Sequence, residues 1–304
     1  MNRSLKNAET DAAYGTAARL EHITRAAEEL SITQPSLSKA ITQLEEELGV
    51  RLFDRVGRQI RLNHYGEALL HRVERASQEL EQGQREIADL VSGDEGFIEL
   101  AIHAGTQLLP DLLSTFRQQY SQIRFRGSQV NAPEAFEQLE RGEVDLCITC
   151  PPSQRPDIVS VPLITEEVVL AVPPDHRMAG REHVPLSEVA DEAFISLRPG
   201  YNLRNISDAV MQQAGLNFRF AFEGDNPAVI PNLIRAGLGI GFVPAITWTT
   251  AMNSSLTLLR LTDTKLERTL GLSWREDRYP SRAEQHFRRF VVNYFSGLSE
   301  KHRG

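Results

Sequence analysis

The chain has 304 residues, 41 % of them hydrophobic, enough for about two domains with real cores. No run of about eighteen apolar residues occurs, the opening MNRSLKNAETDAAYG lacks the apolar core of a secretory signal, and two cysteines imply no disulfide framework; a cytoplasmic protein with no membrane partner is expected. The formal net charge of −8 weighs against nucleic acid, but Lys39, Arg51, Arg55, Arg58 and Arg61 fall in one short window, which assigns the acidic excess to the larger C-terminal part.

Thr24 opens a helix that runs to Leu30, with the small pair Ala26 and Ala27 letting a second helix approach. Ser31, Ile32 and Thr33 make a turn, with Ile32 as its apolar plug. Thr33 is a good N-cap, and Pro35 suits a first helical turn, where no intrahelical donor is needed. The second helix is predicted over Gln34 to Leu48, where Leu37, Ile41, Leu44 and Leu48 recur at 4-3-4 spacing in one stripe, and Gly49 ends it. That stripe leaves Pro35, Ser36, Lys39, Thr42 and Gln43 outside, with Gln34 and Ser38 at the leading edge. Small polar side chains behind a tight turn suit base edges and phosphates in a major groove. Alone, such a face reads as an ordinary solvated one; the turn, the small-residue first helix and the following hairpin reverse that reading in favour of DNA. Leu52 and Phe53 form one short strand and Gln59 to Leu62 another, joined by Val56, Gly57 and Arg58, with Arg55 and Arg58 as phosphate contacts.

A long helix follows, capped by Asn63. Leu69, Val73, Ala76, Leu80, Gly83, Ile87 and Leu90 alternate four and three apart, a seam for a partner helix. The alternative is a helix packed on its own domain. Dimerisation fits a nearly all-polar outer face and two recognition helices at two half-sites.

The run TRAAEELSITQPSLSKAITQLEEELGVRLFDR resembles the signature of LysR-type transcriptional regulators almost position by position. The resemblance implies that Gln34, Pro35, Ser38 and Lys39 read bases and groove edges and that Arg55 contacts the backbone. One departure stands out. In DAAYGTAARLEHI, Tyr14 takes the family's aromatic position, but Asp11 replaces an apolar residue, Gly15 costs about 1 kcal/mol in a helix interior, and His22 stands where a capping Ser is usual. A loosely packed first helix is expected.

Ser92 to Gly96 read as a linker. Beyond it strands and helices alternate: strand Phe97 to Ile102, helix Leu108 to Tyr120, strand Ile123 to Val130, helix Pro133 to Arg141, strand Val144 to Cys150. A second unit starts at Val168 to Val172 and continues through Glu192 to Leu197, a helix near Leu203 to Gln213, and Asn226 to Phe242. Thr269 to Trp274 returns to the first unit, and Arg282 to Phe295 closes it. The alternation predicts parallel α/β sheets. By resemblance, PEAFEQLERGEVDLCI and IRAGLGIGFVP are similar to the family's effector-binding domain, which is periplasmic-binding-protein-like, with two lobes about a cleft. The expected organisation is a winged helix-turn-helix domain over 1–66, a linker and dimerisation helix over 67–92, and a two-lobed α/β domain over 93–304. Lobe one takes about 93–163 and 267–300, lobe two 164–266.

Ligands in open α/β sheets bind beyond the carboxyl ends of strands. That nominates His103, Gly105, Thr106 and Gln107 after one strand, Thr149 and Cys150 after another, and Arg198, Gly200, Tyr201, Asn202 and Arg204 after a third, with Asp225 and Asn226 starting a further helix at the cleft wall. A helix N-terminus near two arginines favours an anion, read here as a small carboxylate; each of these residues also reads as a solvated loop residue.

Other motifs carry less. Cys147 and Cys150 form a CxxC at a strand end, where i and i+3 face opposite sides, against redox or metal work. The GLGIG at Gly237 to Gly241 lacks a following lysine and reads as helix-to-strand packing. His64 and His71 share a helix face without a third zinc ligand. No catalytic, metal or cofactor residues are expected. The reading is a transcriptional regulator acting on double-stranded promoter DNA, controlled by a small effector, assembled as a homodimer or dimer of dimers, with RNA polymerase as a further partner. A solute-binding module, which would need an export signal, and an α/β enzyme, which would need convergent acid–base residues, are the competing classes.

Overall fold

The computed structural model describes residues 10, 13–56, 59–92, 96–248 and 256–301. The chain divides into two compact units, Met1–Ala88 and Asp89–Gly304.

In the first unit, helix α1 (13–20) is followed by α2 (Ile23–Glu29) and α3 (Gln34–Leu48). The strands β1 (Phe53–Val56) and β2 (Gln59–Leu62) pair antiparallel with Val56 opposite Gln59. The 29-residue α4 (His64–Ser92) comes next, about 43 Å long at 1.5 Å per residue. α2, α3 and α4 fall where the sequence places them, but β1 starts after Leu52 and runs through Val56. Asn63 caps α4 as expected, its Oδ1 accepting from the amides of Tyr65 and Gly66 at 3.0 and 3.1 Å.

Several expectations for this unit are corrected. The first helix is well packed: Ala13, Tyr14, Ala17 and Ala18 are buried, and the Tyr14 hydroxyl donates to the Gly66 carbonyl at 2.6 Å. Gly15 lies on the side of Val73, so tertiary packing overrides its poor propensity. His22 serves as the cap, its Nδ1 accepting from the Arg25 amide at 3.4 Å. Thr33 makes no side-chain cap bond; its hydroxyl pairs with that of Ser36 at 2.8 Å. Ile32 is no plug, being 42 % exposed, and Leu48 is 47 % exposed. The turn is closed by backbone bonds instead, Ser31 N–H to Glu28 O and Ile32 N–H to Ala27 O, with Ser31 at φ 54°. Asp11, Gly57, Arg58 and linker residues 93–95 lie outside the described residues.

The second unit holds two cores. On lobe one, β3 (Gly96–Ile102) lies between β4 (Ile123–Gln129) and β5 (Leu146–Thr149), both parallel to it. Helix α5 (Leu109–Gln119) and the closing α9 (Arg282–Lys301) share a core with Ile98, Leu100, Leu146 and Ile148. Helix α6 (Ala132–Glu140) covers the opposite side, with Ala101 and Cys147. Lobe two contains β7 (His183–Val184), β8 (Ala193–Leu197), α7 (Asn202–Gln213), β9 (Arg219–Gly224), α8 (Ile230–Arg235), β10 (Gly241–Pro244) and β11 (Thr257–Leu261).

Two long strands run through both cores. β6 (Ile158–Val172) and β12 (Leu266–Arg275) pair antiparallel from Arg275–Ile158 to Leu266–Val168. The lobe-one core takes Leu163, Ile164, Leu270 and Leu272; the lobe-two core takes Val168 to Val172 and Leu266. A register shift between Leu270 and Gly271 marks the changeover, and such bulges bend strands. The expected all-parallel sheets are therefore corrected to a mixed arrangement, with β12 antiparallel to β5 and β6, and β10 and β11 antiparallel to β6. The second strand unit begins at Ile158, not Val168. Asn226 does not start a helix: α8 begins at Ile230, and the Asn226 Oδ1 accepts from the Ala228 amide at 3.0 Å in a preceding turn.

Candidate functional site

The outward face of α3 is set by its inward one. Leu37 and Ile41 are buried among Ala26, Ala27 and Phe53, which fixes the rotation of the helix. Gln34, Pro35, Ser36, Lys39, Thr42 and Gln43 are thereby exposed and Ser38 is half-buried. The Thr42 hydroxyl donates to the Ser38 carbonyl at 2.9 Å, and Gln43 Nε2 to Glu47 Oε1 at 3.2 Å. Glu45 does structural work, its Oε1 accepting from the amides of Leu52 and Phe53 at 2.7 and 3.3 Å, so it ties the helix to the hairpin. Glu46 and Glu47 stay exposed. The leading half of α3 thus carries neutral polar groups and a lysine, while the trailing half carries negative charge that repels phosphates. Residues 13–66 carry seven basic and seven acidic side chains, and 1–12 two of each, so the −8 excess lies beyond residue 66. Arg55 lies on β1 opposite Ile60; its side chain, like the whole of Arg58, lies outside the described residues. Arg51 and Arg61 are exposed beside it.

On α4, Leu80 and Ile87 are 64 % and 65 % exposed. They lie seven residues apart, on one side of the helix.

The second candidate is the cleft between the lobes. It is lined by His103, Ala104, Gly105, Thr106 and Gln107 from lobe one, by Leu197, Tyr201, Asn202, Leu203, Pro227 and Trp248, and by Arg268 of β12. The cleft is partly open to solvent and its cavity volume is about 30 Å³, about a tenth of a typical ligand pocket. At the cleft mouth the Cys150 thiol donates to Asn202 Oδ1 at 3.0 Å.

Polar groups along the cleft are held by specific partners. The His103 Nδ1 accepts from the Cys150 amide at 3.4 Å. Burial, and then the Arg268 charge, push this imidazole down to about 4, so it is neutral at pH 7 and its proton sits on Nε2. Gln107 Oε1 accepts from the Thr106 hydroxyl at 3.3 Å, whereas its Nε2 is buried with no acceptor. The Tyr201 hydroxyl donates to the Asp225 carbonyl at 2.7 Å. Behind the lining, Arg268 Nε donates to Glu166 Oε1 at 2.9 Å and its Nη2 to the Thr247 hydroxyl at 2.7 Å. Glu166 Oε2 accepts from the amides of Ile246 and Thr247 at 2.9 and 2.7 Å. Glu166 and Arg268 face each other across the two strands that join the lobes.

Of the thirteen sequence-nominated residues, the structure brings His103, Gly105, Thr106, Gln107, Tyr201 and Asn202 together, with Cys150 at the rim, while Gly200 and Asp225 are exposed and off the lining. Thr149 is fully buried, its hydroxyl donating to the Pro151 carbonyl at 2.9 Å. Arg198 and Asn226 are exposed and off the lining. Arg204 is corrected outright: it packs inside lobe two, bonded to Asp208 at 2.7 Å, to the Leu197 carbonyl at 3.0 Å and to Glu223, and lies 4.2 Å over the Phe220 ring. The two arginines that suggested an anion are thus not on the cleft. Arg268, Trp248 and Pro227 went unnoticed in the sequence; the one signal was an Arg inside an apolar strand, which requires a buried partner.

The cysteines do not form a pair. Cys147 packs with the α6 side of the sheet and Cys150 with the α5–α9 side. Burial pushes the thiols up to about 12 and about 11, the opposite of an activated thiolate. In GLGIG, Gly239 and Gly241 lie so close to the carbonyls of Ala193 and Ile195 that a Cβ would come within 2.2 and 2.6 Å, which is backbone packing. No group of three His, Cys, Asp or Glu able to hold a metal occurs among the described residues, and no described helix is long and apolar enough to cross a membrane.

Two protein families match this chain: the LysR-family bacterial regulatory helix-turn-helix protein over residues 13–67 and the LysR substrate binding domain over residues 95–296. The uncharacterised regulator YybE of Bacillus subtilis (strain 168) is 38 % identical, over 93 % of this chain and 97 % of its own. The full-length CbnR structure in complex with its target DNA superposes with a TM-score of 0.65 at 20 % identity, over 94 % of this chain and 99 % of that one. The effector binding domain of QuiR in complex with shikimate gives 0.57 at 22 %, over 67 % and 98 %. This chain belongs to the LysR family of DNA-binding transcriptional regulators, with an N-terminal helix-turn-helix domain and a C-terminal effector-binding domain.

Proposed function

We propose that this regulator acts in the cytoplasm as a homodimer, and as a dimer of dimers on promoter DNA, with a small anionic metabolite in the interlobe cleft controlling its grip. The exposed face from Gln34 to Thr42 carries the DNA reading: its side chains reach base edges only because Leu37 and Ile41 bury the other side. Leu80 and Ile87 form the seam with a second α4, placing two recognition helices at two half-sites. The dimer then touches RNA polymerase beside its operator. The metabolite enters as the lobes part, because the cavity volume is about 30 Å³. The uncapped first turn of α7 on the cleft wall supports an anion, and the related QuiR domain holds shikimate, a carboxylate. The effector is bound and released unchanged.

Footprinting the DNA that adjoins this gene, with and without candidate metabolites, tests the proposal. Two protected half-sites whose spacing or extent changes with metabolite are expected. Uniform, sequence-independent protection at moderate salt would contradict it.

A further inference from the structure

A groove of about 500 Å³ lies between α3 and the β1–β2 hairpin in the DNA-binding unit, a size within the range of ligand sites. Its floor is apolar, built from Ile41, Phe53 and Ile60. One rim is formed by Ser38 and Thr42, so the groove opens beside the side chains assigned to base reading. Arg51 lines it as well. This residue is exposed, and its guanidinium has no ion-pair or hydrogen-bond partner among the described residues. Its backbone, by contrast, is held on both sides. The Arg51 carbonyl accepts from Asn63 Nδ2 at 2.9 Å, and the following amide, Leu52 N–H, donates to Glu45 Oε1 at 2.7 Å. A free cation on a fixed stretch of backbone is what a phosphate contact requires.

Two carboxylates share the groove. Glu45 is half-buried, and its Oε1 is engaged by the amides of Leu52 and Phe53. Glu46 is exposed, with no side-chain partner among the described residues, and opposes any phosphate that Arg51 attracts. With these two charges in balance, shape and the apolar floor decide what enters. A basic protein segment would meet Arg51 at the rim. A small metabolite would compete with the bases that Ser38 and Thr42 touch. A sugar–phosphate strand does neither: its deoxyribose C–H faces suit the floor and its phosphate suits Arg51.

We infer that this groove seats one sugar–phosphate strand of the operator, with Arg51 as its phosphate contact and Glu46 as the charge that limits its grip. The inference rests on the regulator reading above and deepens it, since neither residue belongs to the face from Gln34 to Thr42. Backbone contacts carry no sequence information, so both residues act alike on every sequence. Choice of sequence stays with the leading half of α3, and strength of grip with its trailing end and the loop after it.

The test is fluorescence anisotropy with the full chain, on the footprinted operator duplex and on a scrambled duplex of equal length and composition, between about 50 and 200 mM potassium chloride. Arg51→Gln should weaken both duplexes by the same factor, about threefold to tenfold, and flatten the slope of log affinity against log salt by about one per protomer. Glu46→Gln should tighten both by about twofold to fivefold at the lower salt, with a smaller gain at the higher. Glu67→Gln removes the same charge from α4, off the groove lining, and measures the effect of net charge alone. A purely structural role for Arg51 would lower the melting temperature and leave the salt slope as in the wild type. An unchanged slope in Arg51→Gln, a loss confined to the operator, or a Glu46→Gln gain no larger than that of Glu67→Gln would each overturn the groove assignment. Wild-type titrations separate the two readings: preference for the operator together with any of these results removes only the groove, whereas equal affinity for both duplexes removes the regulator reading.

Discussion

Replacing Gly66 by alanine should unfold the DNA-binding unit while leaving the effector-binding unit intact. Gly66 sits in the first turn of α4, where its amide donates to Asn63 and its carbonyl accepts from Tyr14. A Cβ there would lie 2.3 Å from the Leu52 carbonyl oxygen and 2.5 Å from a Leu62 methyl, against about 3.3–3.6 Å for an ordinary C···O contact. The nearer obstacle is backbone, so no side-chain rotation relieves it. Overpacking costs about 1–3 kcal/mol, and a backbone clash that also strains the Tyr14 bond belongs at the upper end. For a unit of this size, about 3 kcal/mol lowers the melting temperature by roughly 12–24 °C. The assay separates the units cleanly, because both tryptophans, Trp248 and Trp274, lie in the second. Tryptophan fluorescence should melt unchanged in Gly66→Ala, while far-UV circular dichroism gains an early helical transition and operator binding is lost. An unchanged early dichroism profile with wild-type DNA affinity would refute the packing argument.

Leu80→Glu/Ile87→Glu should convert the dimer to a monomer in sedimentation, since each side chain contributes roughly 1.5–3 kcal/mol when buried; a stable dimer would move the interface elsewhere. Glu284 is buried beside Arg288, and burial pushes its carboxyl up to about 7. The folded state therefore holds a proton that the unfolded state has released, so this contribution is full below about pH 4.5 and lost as pH rises through about 7. Glu284→Gln should remove up to about 3 kcal/mol of that fall between pH 5 and pH 8 in urea titrations; parallel profiles for variant and wild type would contradict it. Cys147 and Cys150, both buried with raised thiols, should react with a thiol reagent at pH 7.5 only as fast as the domain opens, and rapid labelling of the native protein would contradict that.

The DNA-binding unit was legible because its signals are local. Leu37 and Ile41 set the α3 face within a few residues of sequence, and Asn63 caps α4 from next door. The first helix was misjudged because Gly15 and His22 were weighed by intrinsic preference, whereas Tyr14 reaches Gly66, 52 residues away. In the second unit, β6 was seen only from Val168 onward, because Pro162 and the pair Glu166–Glu167 interrupt the apolar pattern of the strand. Pro162 is tolerated because it lies at the register shift opposite Gly271, and Glu166 because its partner comes from position 268. The cleft has the same character. His103, Gln107 and Asn202 follow from the strand-end rule, but Arg268 and Trp248 reach it through pairings that no local pattern encodes. Arg204 misled for the opposite reason: it stands at a helix start, yet Glu223 and Asp208 turn it into lobe two.

The central claim is that the outward side of α3 touches bases, and Ser38→Glu/Lys39→Glu tests it most directly. Gel-shift titration on the footprinted operator, beside sedimentation of the same samples, should show at least a hundredfold loss of specific binding with the dimer unchanged, given about 1–3 kcal/mol per base contact and two added negative charges. Operator affinity within a few-fold of wild type would contradict the account.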